Sequence, residues 1–130
     1  MMILVDSSIF IDWLRNRIDP TKKLINWIHA NEICSCGIIR AEVLRGIIKA
    51  NQRQRIQEFF GILPEIQLTS GLLQEVSQLA WSLDRKGRIV PLTDLIIAVA
   101  AMKAEATVIS LDHHFKSIPK LKTRKSLPQL

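Results

Sequence analysis

Met2-Ile-Leu-Val-Asp6-Ser-Ser8 is an unbroken apolar run that stops at a carboxylate and two hydroxyls. A continuous apolar run, rather than an alternating one, is what a strand covered on both faces requires, as in a parallel sheet flanked by helices. Asp6 then stands at the carboxyl end of that strand. Ligands of open α/β sheets bind beyond the carboxyl ends of the strands, where the strand order reverses. Any chemistry this chain performs is therefore expected around Asp6.

Working outward, Phe10, Trp13 and Leu14 recur at helical spacing, with Ser7 or Ser8 as the cap, and predict a helix to about Arg17. Asp19-Pro20 starts a second helix, because a carboxylate caps it and proline costs nothing at the first helical position. Leu24, Trp27 and Ile28 form its stripe. Ile33 to Cys36 reads as a second strand and Ile38 to about Ala50 as a third helix; Ile56, Phe59, Phe60 and Leu63 mark a fourth. Glu65 to Leu68 reads as a short third strand. Thr69 or Ser70 caps a long amphipathic helix through Leu72, Val76 and Leu83, stopped by Gly87. Thr93 is expected to cap the next helix, which beyond Asp94 is apolar on every side and so belongs in the core. Thr107 to Ser110 is the fourth strand, and Leu121 to Thr123 a short edge strand. Strands alternating with helices require right-handed crossovers and a mainly parallel sheet.

The 130 residues and 48% hydrophobic content predict one folded domain over 1–130. The amino terminus has neither a basic start nor a long apolar stretch, which argues against a signal peptide. The longest apolar run, Leu95 to Met102, is far below the ~20 residues a bilayer needs. The expectation is a soluble cytoplasmic protein with no membrane partner. Cys34 and Cys36 suit a reducing compartment and read as buried small hydrophobes, since a lone C-x-C pair lacks the ligands for a zinc site.

The formal charge of +6 makes a polyanion a reasonable partner. Its distribution is lopsided. No acid follows Asp112, whereas Lys116, Lys120, Lys122, Arg124 and Lys125 do, and Arg85-Lys86-Gly-Arg88 forms a second basic group before Pro91. A solvated helix end and tail would look similar.

The acids fall into register with the strands. Asp6 and Asp112 follow strand ends, Glu42 lies in the helix after the second strand, and Asp94 opens the buried helix, near the positive end of its dipole. If the first and fourth strands are neighbours, all four converge. Crowded carboxylates repel, so some protonate unless a cation lies among them. An all-oxygen ligand set selects Mg²⁺ or Mn²⁺ over zinc or copper. Such a site activates water and stabilises phosphoryl displacement. Acid pocket and basic rim together point to metal-dependent phosphodiester hydrolysis.

Four blocks, Val5-Asp6-Ser-Ser-Ile-Phe-Ile11, Arg40-Ala-Glu42-Val-Leu-Arg-Gly46, Asp94-Leu-Ile-Ile-Ala98 and Ser110-Leu-Asp112-His-His-Phe115 with Ile118-Pro119, resemble the motifs of PIN-domain ribonucleases. In order and spacing the chain is similar to VapC-type toxins of prokaryotic toxin–antitoxin pairs. The resemblance implies a three-layer α/β/α sandwich with parallel strand order 3-2-1-4-5, a Mg²⁺ or Mn²⁺ site and RNA endonuclease activity. It also implies a homodimer and an antitoxin whose carboxyl-terminal segment covers an apolar groove and blocks the acids. By the same likeness Asp6, Glu42, Asp94 and Asp112 match the catalytic and metal-binding quartet, with Asp6 and Asp94 foremost as ligands. Ser7 and Ser110 match the hydroxyls that brace carboxylates or a metal-bound water. Arg85, Lys86 and Arg88 are candidate RNA contacts.

His114 stands where many relatives carry a further acid. An imidazole there can orient phosphate or water, though paired loop histidines are commonly plain surface, and the change weakens the case for a second metal. Trp13, Trp27, Phe59 and Phe60 read as packing rather than base-stacking residues, given their helical spacing. A dehalogenase-type phosphatase needs a second aspartate where Ser8 stands, and a response-regulator receiver needs adjacent acids where only Asp6 is found. The remaining alternative is an inactive PIN-fold module that binds RNA or antitoxin.

Replacing Arg85 and Arg88 together by alanine is expected to flatten the salt dependence of RNA affinity, by ~0.7 in log–log slope for each single-strand phosphate no longer neutralised. Equal slopes for the two proteins would reduce that loop to a solubilising feature.

Overall fold

β1 (Met2–Val5) lies at the centre of a five-stranded sheet with order β3-β2-β1-β4-β5, every pairing parallel. The fold is that of a computed structural model describing residues 1–129; Leu130, the last residue of the expected unit, lies outside the described residues. The other strands are β2 (Ile33–Cys36), β3 (Glu65–Ile66), β4 (Ala106–Ile109) and β5 (Thr123–Arg124). Six helices connect and flank them: α1 (Ser7–Arg15), α2 (Pro20–His29), α3 (Gly37–Arg45), α4 (Ala50–Ile62), α5 (Ser70–Arg85) and α6 (Leu92–Lys103). A 3-10 turn, His113–Ser117, joins β4 to β5.

The chain builds outward from β1 to β3 on one side, then returns to lay β4 and β5 on the other. The switch point therefore falls between β1 and β4, which pair from Met2↔Ala106 to Val5↔Ile109. The ladder runs one residue beyond the strand, since the Asp6 N–H donates to the Ile109 carbonyl (2.9 Å). Asp6 is thus held by backbone before its side chain makes any contact.

Burial explains why the apolar runs are continuous. β1, β2 and β4 are closed off on both faces, and α6 is buried without interruption from Asp94 to Ala101. Phe10 on α1 is the hub of an aromatic cluster. Its ring lies 5.2 Å from Phe60, 5.8 Å from Phe59 and 5.7 Å from Trp13, edge to face in each case. Trp27 is also buried, so none of the four aromatics singled out in the sequence offers a free face to a base. Cys34 and Cys36 are buried free thiols, and burial pushes Cys34 up to about 11, which leaves it inert as a nucleophile. Among the described residues no helix is long and apolar enough to cross a membrane.

Three helix expectations shift. α1 is capped by Asp6, whose side chain accepts from the Ser8 N–H, rather than by Ser7 or Ser8, and it ends at Arg15. α3 stops at Arg45 instead of running to Ala50, because Gly46 and the β-branched pair Ile47-Ile48 are poor helix formers; Ala50 opens α4 instead. Thr93 does not cap α6. Proline already fixes φ, so Pro91 (φ −54°, ψ 142°) brings the chain in extended and the helix begins at Leu92, leaving Asp94 as its third residue. The edge strands are shorter or shifted by a residue or two, whereas Gly87 ends α5 as expected, with φ +74° and the Arg88 N–H donating to the Leu83 carbonyl.

Truncating Phe10 to alanine should destabilise the protein by ~3–5 kcal/mol, the usual cost of a fully buried phenylalanine. Trp81, 63% exposed, should cost less than ~0.5 kcal/mol on the same change. Urea melts of the two variants test the contrast, and comparable losses would mean that the aromatic cluster is not the hub of the core.

Candidate active site

Three donors converge on one oxygen of Asp6. Oδ2 accepts from the Ser8 N–H (3.3 Å), the Ser8 hydroxyl (2.7 Å) and the Ser110 hydroxyl (2.8 Å). Oδ1 takes none of the hydrogen bonds found among the described residues. The carboxylate is 3% exposed, held at the amino end of α1, where the helix dipole favours a negative charge.

The two serines also tie the site across the switch point. Ser8 Oγ accepts from the Leu111 N–H (3.0 Å), and Ser110 Oγ accepts from the Asp112 N–H (2.9 Å). The start of α1 and the turn after β4, about a hundred residues apart in sequence, are thereby stitched together. The Ser110 hydroxyl thus braces the Asp6 carboxylate. Ser7 does the same for a different acid: its hydroxyl donates to Glu42 Oε1 (3.2 Å). Ser8 is the residue that sequence reasoning missed. Its only signal was the hydroxyl doublet itself, in which the first residue of the helix turns to α3 and the second to β4.

Asp94 is 8% exposed, and its Oδ2 is sealed from solvent with no hydrogen-bond partner. Burial first, then the charge of the facing Asp112 and the hydrogen bond it shares with Asp94, then Asp6, push its carboxyl up to about 7, with His114 pulling the other way. Glu42 is half-buried and also raised, by burial and by the charges on Asp6 and Asp112, with the Ser7 hydroxyl pulling the other way. Asp112 shows the opposite balance. Burial pushes it up, but the His114 N–H (2.9 Å) and ring Nδ1 (2.7 Å) on its Oδ1, with Asp94 beside them, hold it below the usual carboxylate range. Asp94 and Asp112 therefore behave as a carboxylic acid beside a carboxylate. The four acids lie close enough that each of Glu42, Asp94 and Asp112 feels at least one of the others.

His114 is part of this cluster. An ionised carboxylate can only accept, so the imidazole Nδ1 carries the proton it shares with Asp112, and the same atom lies 3.8 Å from Asp94 Oδ2. His113 stacks on it at 4.4 Å, mostly exposed. Asp112, His113 and His114 offer ligand atoms within 4.8 Å of one another.

The donor set fits a divalent cation, and the orphaned Asp94 Oδ2 is the specific sign. A buried carboxylate oxygen without a donor is costly and is ordinarily satisfied by protein, water or metal. Oxygen donors in the majority favour Mg²⁺ or Mn²⁺. The basic segment Arg85, Lys86, Arg88 is not joined to the acids by any hydrogen bond or ion pair among the described residues. Arg85 lies over the Trp81 ring at 5.0 Å at the end of α5, which packs against the helix that carries Asp94.

The family model of the PIN domain matches residues 3–121. No curated protein matches the chain in sequence. Among solved structures, VapBC2 from Rickettsia felis bound to a promoter DNA fragment aligns with TM-score 0.78 and 25% identity, covering 95% of this chain and 98% of that one. DNA-bound VapBC from Salmonella typhimurium aligns with TM-score 0.78 and 20% identity over the same shares. VapBC-5 from Mycobacterium tuberculosis aligns with TM-score 0.66 and 19% identity, covering 95% of each chain.

A group whose native value lies near 7 holds a proton that the unfolded chain, at an ordinary 3.8, has released. The Asp94 contribution to metal-free stability therefore falls as pH rises from about 4 to about 7. In chelator, wild type should lose stability relative to Asp94→Asn between about pH 5 and pH 7.5, read as the gap between urea midpoints. A gap that stays constant would mean that Asp94 is ionised throughout.

Proposed function

The chain belongs to the PIN domain family, and from that premise we propose that it is a Mg²⁺- or Mn²⁺-dependent endoribonuclease, the toxin half of a cytoplasmic toxin–antitoxin pair. The observation that carries the reading is Asp94 Oδ2, a buried carboxylate oxygen with no donor, facing Asp112 in a ring of four acids. Such an arrangement weakens a purely structural site and suits one that binds a cation.

Asp6, Asp94, Asp112 and Glu42 would hold the ion, which when bound orients and acidifies a water and offsets charge on the phosphate under attack. Asp6 offers Oδ1, since its Oδ2 is occupied by the two serines. Asp94 would have to be ionised to serve as a ligand, and a positive charge there would favour that form over the proton that burial retains. Glu42, steadied by the Ser7 hydroxyl, would take the proton of the attacking water. Attack by water leaves a 5′-phosphate and a 3′-hydroxyl.

The partner reading rests on the likeness to the VapBC structures and on a groove of about 800 Å³ between α1, α3 and α4. Ile11, Leu14, Val43 and Ile47 give it an apolar floor, and Arg15, Arg17, Lys49 and Arg55 stand round it. Two of these helices, α1 and α3, carry Ser7 and Glu42, so an antitoxin segment seated there would reach the acids. For the homodimer, exposed Leu73, Trp81, Ile89 and Leu92 on α5 and the turn into α6 supply apolar surface.

End-labelled RNA incubated with purified protein and Mg²⁺, Mn²⁺ or chelator tests the activity. Cutting should need the metal, leave 3′-hydroxyl ends, and fall in Asp6→Asn and Asp94→Asn by more than the ~10–100-fold typical of residues that only support ligands. A 2′,3′-cyclic phosphate product would overturn attack by water. RNA or antitoxin binding without cutting would favour the inactive module.

A further inference from the structure

A small cleft of about 210 Å³ opens beside the acids, on the side of the sheet where β4 and β5 end. Asp112, His113, Lys116, Arg124 and Lys125 are among the residues that line it. We propose that this cleft receives an RNA phosphodiester adjacent to the one that is cut, so that Lys116, Arg124 and Lys125 set where the scissile phosphate meets the acids. The proposal rests on the nuclease reading.

What distinguishes these cations from the rest of the basic surface is how they are mounted. Arg124 is in β5, and its carbonyl accepts from the Ser110 N–H (2.9 Å), while the Ser110 hydroxyl donates to Asp6 Oδ2. Two hydrogen bonds therefore connect the Arg124 backbone to the first acid. Lys116 lies in the 3-10 turn that Asp112 caps through the His114 N–H. Lys125 follows Arg124 directly. Each cation thus stands on, or next to, the element that positions a site acid.

Charge and satisfaction point the same way. Among the described residues no carboxylate lies within ion-pair distance of Lys116, Arg124 or Lys125, whereas Arg40 and Lys103 have carboxylate partners at 2.7 and 2.6 Å. The one carboxylate in the cleft wall, Asp112, already has Oδ1 engaged by His114. Three unpaired cations around a concave space, next to a centre suited to phosphoryl displacement, match a backbone phosphate better than a base, which would want a stacking face. The aromatic ring in the cleft lining, the His113 imidazole, is small and has one face already stacked on His114. Arg85, Lys86 and Arg88 lack this mounting, and would act on RNA only as a diffuse field.

The test is binding of a labelled single-stranded RNA in chelator, followed by fluorescence anisotropy at several salt concentrations. Lys116→Ala/Arg124→Ala/Lys125→Ala should weaken binding about fivefold at ~0.1 M salt and lower the log–log slope by ~0.7, the value of one single-strand phosphate. The charge-preserving Lys116→Arg/Arg124→Lys/Lys125→Arg should restore both, which a folding defect would not. A walk of single neutral methylphosphonates along the RNA should then find one linkage whose neutralisation weakens wild type but not the alanine variant. Equal slopes, or losses spread evenly over all linkages, overturn the subsite and leave the nuclease reading standing. Wild-type protein that binds no RNA overturns both.

Discussion

Asp6 has its charge buried where the two halves of the chain meet, and the surroundings are organised to make that tolerable. The ladder between β1 and β4 delivers its backbone to the Ile109 carbonyl, and the two serines deliver three donors to a single carboxylate oxygen. Concentrating the donors on Oδ2 has two effects. It offsets the cost of burying a charge, and it leaves Oδ1 unsatisfied by protein. The same hydroxyls then fix the turn after β4, so the position of Asp112 depends on the stabilisation of Asp6.

Around that fixed point the remaining acids are placed under tension. Asp94 is carried into the core by a helix that is apolar on every side, which is why its Oδ2 finds no donor and its proton is retained near neutrality. Asp112, with two hydrogen bonds from His114 on Oδ1, is held ionised beside it. Unequal protonation of neighbouring carboxylates is the low-energy answer to crowding when no cation is present, and the same crowding favours binding one.

Much of the fold was legible because the decisive signals were local and strong. The continuous apolar run at Met2–Val5 meant burial on both faces, and the all-round apolar character of α6 meant the core. What was not legible depended on direction rather than composition. Ser7 and Ser8 are chemically identical, and only the helix start at Ser7 sends one to Glu42 and the other to Asp6. The break after Arg45 and the start of α6 at Leu92 turned on backbone preferences of Gly46 and Pro91 that compete with side-chain patterns. Likewise, two basic clusters looked equivalent in sequence. Only the pairing of β5 with β4 shows that one is hydrogen-bonded to the residue that braces Asp6, while the other lies at the end of α5 and in the turn after it.

The switch point between β1 and β4 also orders events during synthesis. Asp6 leaves the ribosome some hundred residues before its brace Ser110 and the turn that Ser8 clasps. Interactions that close so long a loop form late, after the intervening helices have something to pack on. A nascent or prematurely ended chain thus carries the first acid without the framework that holds it. The centre is assembled only once Ser110 and the turn after it have packed against β1, so its formation waits on the segment that follows α6.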